Sequence, residues 1–381
     1  MIELKNLYKS YRGKSVLMNI SLTIQDNEFF VLIGSSGCGK TTLLKTLNKL
    51  NPIDKGEILI NGTPINRIKV TQLPRLMGYV VQEGGLFPHM TVEDNIALAM
   101  RVAGYPKEKI YDRITELLEL VNLEPDQYRS QYPSQLSGGQ RQRIGVARAF
   151  AADPEIILMD EPFSALDPMT RAELQDEVHR LQLRFHKTIV FVTHDMEEAV
   201  KLADRICILQ NGHVVQCDKP ENILKHPANE YINSFIGKNR LWENPSFIRA
   251  EDIMCPRPIT ISQSRTVVQA VQLMRHYNID SLLVTGDDNK FAGMVWLQDL
   301  IGIDQYSSPI SSFLSDDYLS VRVDDSLSTV LEKVADYGEK DFGILPVLDA
   351  EGAIRGFLNR SSLLSTLSRR FIDEPVERDE Q

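Results

Sequence analysis

At 381 residues, with 43% hydrophobic and 25% charged side chains, the chain has the make-up of globular protein and length enough for two or three domains. No apolar run approaches the ~18 residues of a membrane span, and the first residues lack a signal-peptide core, so neither an integral membrane protein nor a secreted one is expected. The net charge of −10 is uneven: residues 1–240 hold 29 basic and 29 acidic side chains, leaving the whole excess in 241–381, which suggests two parts with different work and argues against nucleic-acid binding.

In chain order, residues 1–30 alternate apolar and polar side chains (Ile2, Leu4, then Val16, Leu17, Ile20, Leu22, Ile24), the period of half-buried strands. Tyr11 lies just upstream of the next motif, where an aromatic ring either stacks on a purine or simply packs. The apolar run 29–33 leads into Gly34, Ser35, Ser36, Gly37, Cys38, Gly39, Lys40, Thr41 and Thr42, then into a helical pattern over 43–50. Strand, glycine-rich turn and helix in that order are the setting of a P-loop, whose backbone N–H groups and helix N-terminus cradle a polyphosphate. Lys40 is expected to reach the β and γ phosphates of ATP, and the Thr41 hydroxyl to ligand Mg²⁺. Cys38, Cys207, Cys217 and Cys255 are far apart and lack metal-site spacing; they read as free thiols of a reducing compartment.

Further on, an apolar strand over 79–81 ends at Gln82, and Gly84-Gly85 opens a loop before a helix starting near Thr91, with Asp94 as its capping partner. A Gln at a strand end is suited to touch a metal ion or a water. Ser137, Gly138, Gly139 and Gln140 then open an Ala/Arg/Gln-rich helix with bare N–H groups, a second anion-binding helix end in the same chain. The buried strand over 156–159 runs into Asp160 and Glu161. Ligands of open α/β sheets gather at such strand ends, so Asp160 is the expected Mg²⁺ ligand and Glu161 the group that orients or deprotonates a water. Asp167 closes a short loop, and one more apolar strand, 188–192, ends at Thr193-His194-Asp195.

Residues 1 to about 235 resemble the nucleotide-binding subunit of an ATP-binding cassette (ABC) transporter. The resemblance rests on GSSGCGKTT at 34–42, Gln82, LSGGQ at 136–140, ILMDEP at 157–162, SALD at 164–167 and His194, in the family's order and spacing. It implies an α/β P-loop NTPase cassette, a RecA-like core plus a helical subdomain, working as a homodimer of ATPase subunits. Each ATP would lie between the P-loop of one chain and Ser137 to Gln140 of the other. The resemblance also implies Glu161 as general base, His194 as γ-phosphate contact, Gln82 at metal and water, Asp167 among the nucleotide contacts and Tyr11 as adenine-stacking residue. Lys40 and Asp160 are 120 residues apart (160 − 40), which admits a helical subdomain but not the long coiled coil of DNA-repair relatives. A single cassette likewise sets the chain apart from twin-cassette translation factors.

The second part contains an internal repeat. Residues 252–254 and 259–261 align with 312–314 and 319–321 at an offset of 60, as do the helical stretches 267–274 and 327–334; the later strands, with Gly293 and Gly356, align at 63. Two β-α-β-β-α copies fit, and the pattern resembles tandem cystathionine-β-synthase (CBS) domains over 248–303 and 309–370, after an ATPase domain at 1–236 and a linker at 237–247. Such pairs often bind adenine nucleotides through a Thr or Ser with an Asp three residues on; here those positions hold Trp296 and Asp299, and Asn359 and Ser362. Arg322, Arg355 and Arg360 either meet phosphates or are solvated charge. Residues 371–381 form an acidic tail expected to be disordered.

A cassette followed by tandem CBS domains resembles the ATPase subunits of quaternary-amine importers for glycine betaine, carnitine or choline. The resemblance implies transmembrane permease subunits as separate partners and, indirectly, an extracytoplasmic substrate-binding protein. It implies a place at the cytoplasmic face of the cell membrane and control of the CBS pair by ionic strength or cyclic di-AMP. An importer ATPase for another small solute and a non-transport ATP-driven switch are the alternatives.

Overall fold

The computed structural model describes residues 1–82, 85–236, 245–286, 288, 290–301, 306–315, 317–338 and 342–369, without the side chains of 367–369. Most of the expected linker, the acidic tail and Gly84 of the loop after Gln82 lie outside the described residues. The chain divides into two compact units, Met1–Ile236 and Gly237–Gln381.

In the first unit, β1 (Ile2–Tyr11) and β2 (Lys14–Ile24) are strands, as the alternating pattern implied, and they pair as a hairpin with Ile2 opposite Ile24 and Leu7 opposite Ile20. β3 (Phe29–Ile33) belongs to a second sheet, while β4 (Lys55–Ile60) and β5 (Thr63–Pro64) complete the first, in the order β2-β1-β4-β5. β6 (Met77–Val80), β7 (Ile156–Asp160), β8 (Thr188–Thr193), β9 (Arg205–Gln210) and β10 (His213–Asp218) join β3 in the order β10-β9-β3-β8-β7-β6. Neighbours there are parallel except in the β9–β10 hairpin. β3, β7 and β8 are buried along their whole length, which is why they read as unbroken apolar runs.

One core joins the two sheets: Ile2, Leu17 and Ile58 pack with Phe30, Leu158, Val190 and Cys207, and Leu43, Leu44 and Leu47 of the helix Lys40–Leu47 enter the same cluster. Between β6 and β7 the helices Val92–Val102 and Lys107–Leu120 pack on the helix Gly138–Ala151. The sheet therefore brings the ends of β3, β7 and β8 together on one edge.

In the second unit, β11 (Cys255–Pro256) is followed by a sheet of β12 (Thr260–Ser262), β13 (Ser281–Thr285) and β14 (Phe291–Trp296). A second sheet, ordered β11-β17-β16-β15, contains β15 (Val321–Arg322), β16 (Ile344–Leu348) and β17 (Ile354–Asn359). Each copy has one parallel pair and then one antiparallel pair, with helices Val267–Tyr277 and Leu327–Asp336 at equivalent places. The copies exchange their first segments. Cys255 of the first pairs with Phe357 of the second, and Ser315 of the second bridges to Met294 of the first. This explains Gly356, where a Cβ would press Met254 Sδ at 2.7 Å and Cys255 O at 2.9 Å; Gly293 is favoured instead by its φ of +149°, a Cβ there making only ordinary contact with Leu314.

Candidate active site

The loop after β3 bends where only glycine fits easily. Gly39 has φ +111°, and a Cβ there would meet Leu17 Cδ2 at 2.8 Å and Val16 O at 2.9 Å. Lys40 is buried, and its ammonium donates to Gly34 O at 2.7 Å and Ser35 O at 3.2 Å, lying across the loop's mouth. Ser35, Ser36 and Gly37 are exposed at the turn, and Thr42 is partly exposed on the helix that follows. Cys38 is buried beneath them, and burial pushes its thiol up, so this cysteine packs as a small apolar residue. Thr41 Oγ1 donates to Asp160 Oδ1 at 2.7 Å, which brings the two expected metal ligands into contact across β3 and β7.

Glu161 follows β7 with φ +45°, an unfavourable value for a side-chain-bearing residue. Its N–H donates to Val192 O at 3.0 Å, which fastens the strained residue to β8, and its carboxylate lies 3.2 Å from His194 Nδ1. Beside the pair is a cavity of about 40 Å³, enough for a water, lined by Glu161, Ser164, Arg171, His194 and Glu198. Gln82 Nε2 reaches Ser164 Oγ at 3.4 Å, and that hydroxyl donates to Glu161 O at 3.0 Å, so Gln82 stands at the same edge.

Ser137 caps the helix Gly138–Ala151: its Oγ accepts from Gln140 N, while the Gln140 side chain accepts from Ser137 N, a capping box that leaves Ser137 and Gly138 exposed and Gly139 half-buried. Within the chain these residues contact none of the loop residues 34–42 by hydrogen bond. Asp167 is exposed, and its carboxylate caps the helix Pro168–Phe185 by accepting from Thr170 N; the Thr170 contacts hold its pKa below the usual range. Tyr11 is exposed at the end of β1, with the Lys9 ammonium 5.1 Å from its ring centre.

Three contributors were missed, two of them because they act across distant sequence. The Tyr231 hydroxyl accepts from Ser35 N at 3.1 Å, occupying one N–H of the loop from the helix Glu230–Ile236. Tyr79 OH lies 3.4 Å from Asp160 Oδ2, and burial, with the Asp160 charge, pushes its pKa up, so it stays a donor to that carboxylate. Asn95, fully buried, donates to Phe87 O, Met90 O and Thr91 O and accepts from Phe87 N, pinning the stretch beyond Gln82. In the second unit, Asn359 and Ser362 satisfy each other's N–H groups at the start of the helix Arg360–Arg369, and Arg355 pairs with Asp349.

A strand-end cluster of loop lysine, hydroxyl, two carboxylates and histidine, with an LSGGQ helix in the same chain, defines a P-loop ATPase of the cassette type. The ABC transporter family profile matches residues 17–164, and the CBS domain profile matches 250–304 and 310–369. The chain is 44% identical to the choline transport ATP-binding protein OpuBA of Bacillus subtilis, over 96% of this chain and 95% of that one. It is equally similar, with the same coverage, to the glycine betaine/carnitine/choline transport ATP-binding protein OpuCA of that organism. The osmoprotectant import ATP-binding protein OsmV of Salmonella typhimurium is 36% identical over 97% of this chain and 96% of its own. Among solved structures, the dimeric bacterial ABC transporter cassette MJ0796 superposes with a TM-score of 0.54 at 34% identity, covering 58% of this chain and 99% of that one. The chain belongs to the ABC transporter ATP-binding proteins that carry a tandem CBS pair; it is an ATPase that drives transport.

Proposed function

We propose that this chain energises uptake of a quaternary-amine solute (glycine betaine, carnitine or choline) through a separate permease, with residues 1–236 as ATPase and 248–303 and 309–370 as regulatory CBS domains. The reading is carried by the convergence of Lys40, Thr41, Asp160, Glu161 and His194 at one sheet edge, in a chain whose full-length relatives are named for these solutes. The loop fits a triphosphate: Gly37 has open space where a side chain would stand, and Lys40 is held across the loop's mouth. Mg²⁺, held by Thr41, Asp160 and Gln82, would neutralise charge on the β and γ phosphate oxygens. Glu161 takes the proton of the attacking water, His194 orients the γ-phosphate, and Tyr11 stacks on adenine.

The Ser137 to Gln140 turn, exposed at Ser137 and Gly138, would complete the ATP site of a second copy, as would Asp167. Gly138 supports this. Its φ is not positive and an added Cβ would meet nothing within 4 Å, so the fold of this chain does not require glycine there. Gly138→Asp is expected to leave thermal unfolding unchanged while ATP-driven dimerisation and ATPase activity fall at least ~100-fold, because a carboxylate would face the partner's phosphates. Wild-type activity in that variant would rule out the paired arrangement.

No helix among the described residues is long and apolar enough to cross a membrane. A groove of about 530 Å³, lined by Leu50, Val70, Leu73, Phe87, Val102 and Arg148, exposes large apolar side chains beside the Gln82 loop. It is the surface on which a permease helix would dock, placing the chain at the cytoplasmic membrane face. A substrate-binding protein would act only through that permease.

For the CBS pair, the −10 charge of 241–381 suggests ionic-strength sensing. Repulsion from an anionic bilayer would weaken as the Debye length falls from ~10 Å at 0.1 M to ~3 Å at 1 M salt. The test is ATPase and uptake in proteoliposomes with the native permease, over a salt series, with and without cyclic di-AMP. Salt-activated uptake of choline or glycine betaine supports the reading. Uptake indifferent to salt and to the dinucleotide removes the regulatory role, and no uptake of any quaternary amine removes the substrate assignment.

A further inference from the structure

The β9–β10 hairpin holds two thiols that ATP hydrolysis does not use. Cys207 and Cys217 are direct cross-strand partners, and such pairs have Cα atoms ~4.5–5.5 Å apart, inside the ~4.4–6.8 Å that disulfides span. Both are free thiols. They differ in surroundings. Cys207 is fully buried in the core between the sheets, whereas Cys217 is only partly covered. Arg205, two residues before Cys207 and so on the same face of β9, donates through Nη2 to Cys217 Sγ at 3.2 Å.

We propose that Cys217 is an oxidation site that reacts with hydroperoxides and is resolved by Cys207 into a cross-strand disulfide. The Cys217 thiolate sulfur attacks the distal peroxide oxygen and the O–O bond breaks. The alkoxide or hydroxide leaves with a proton from water, and Cys217 becomes a sulfenic acid. Cys207 sulfur then attacks Cys217 sulfur: the S–S bond forms, the S–O bond breaks, and the Cys207 proton departs in water. Sulfur is oxidised and the peroxide reduced, and a thiol reductant reverses the step.

The electrostatics run the same way. A hydrogen bond from Cys207, aided by the Arg205 charge and opposed by burial, holds Cys217 down at about 7, while the same hydrogen bond and burial push Cys207 well up. A partly exposed thiolate beside a buried thiol is the pairing of an attacking and a resolving cysteine. Cys38, buried and pushed up, lacks this activation. The hairpin also carries the phosphate loop, since Gly212 N donates to Cys38 O at 3.2 Å and Cys207 lies opposite Leu32 of β3.

Both cysteines fall in one tryptic peptide, 206–225, because Lys219 precedes Pro220. The full chain, treated with hydrogen peroxide, alkylated and digested without reductant, is expected to yield that peptide two hydrogens lighter and unalkylated, with alkylation restored by dithiothreitol. In Cys207→Ser, Cys217 should persist as a sulfenic acid captured by dimedone. In Cys217→Ser, residue 207 should remain a reduced thiol. The proposal is overturned if both thiols alkylate as in untreated protein, if Cys38 or Cys255 is oxidised first, or if Cys207 oxidises equally well without Cys217.

Discussion

Replacing Glu161 by Gln is expected to lower the rate of ATP hydrolysis by ~10²- to 10⁴-fold, the span that one general base contributes, while ATP still binds and the ATP-bound dimer accumulates. The substitution keeps size and hydrogen-bonding capacity, so the 3.2 Å contact with His194 Nδ1 survives and only the proton-accepting charge is lost. The backbone N–H, fastened to Val192 O, is untouched, as is the loop held by Ser164. The strain at φ +45°, of order 1–3 kcal/mol, remains and is met by the same tethers. Because Lys40, Thr41 and Asp160 are unaltered, affinity for ATP should change by less than about threefold, well under the ~1.4 kcal/mol of a tenfold effect. Phosphate release in single-turnover experiments, with gel filtration in ATP, measures both arms. Full turnover by Glu161→Gln would sink the assignment of the base.

The residues of this site were legible because their signals are local. A glycine loop between an apolar strand and a helix, or two acids at the end of a buried strand, is written in consecutive positions, and the sheet brings those strand ends together. The Thr91 cap was legible for the same reason, whereas the helix end at Ser137, read as bare N–H groups, is closed by a capping box with Gln140.

What was not legible depends on the fold. The hydroxyl of Tyr231 reaches Ser35 across 196 positions, and no pattern near either residue signals it. The repeat in the second unit was readable as a repeat, but the exchange of first segments between its copies appears only in the pairing of Cys255 with Phe357 and of Ser315 with Met294. Asp167 was read as a nucleotide contact from family resemblance. Within the chain its carboxylate caps a helix, work that any Asp at that position could perform.

Arg143→Met is expected to destabilise the first unit by ~3–5 kcal/mol, the cost of breaking a buried ion pair from one side. Arg143 lies on the helix Gly138–Ala151 and donates to Val121 O at 2.9 Å, to Glu173 at 2.8 Å and to Glu177, which is only 1% exposed. Arg143 and Asn122 both bond Oε1 of Glu177, and its other oxygen, Oε2, is buried without a hydrogen-bond partner. Burial already raises the Glu177 pKa above its ordinary 4.5, opposed chiefly by Arg143 and Asn122. Removing the cation raises it further, and the sign of the pH dependence follows. A carboxylate whose folded pKa lies above its unfolded value costs nothing below the unfolded value, and its penalty grows as pH rises from the unfolded value to the folded one, above which it is constant. The deficit of Arg143→Met should therefore be largest near neutrality and shrink towards pH 5. Urea unfolding of the two proteins over that range measures it, and the double variant Arg143→Met/Glu177→Leu should recover most of the loss, since an apolar pair replaces both charges. A single variant within ~0.5 kcal/mol of wild type, or a double variant no better than the single, would show the pair to be idle. The same pair ties the helix that begins at Ser137 to the helix Pro168–Phe185, which starts seven residues after Glu161. A double variant that regains stability should therefore still lose part of its ATPase rate, because the turn proposed to serve a second copy and Glu161, the proposed base, would no longer be held in register.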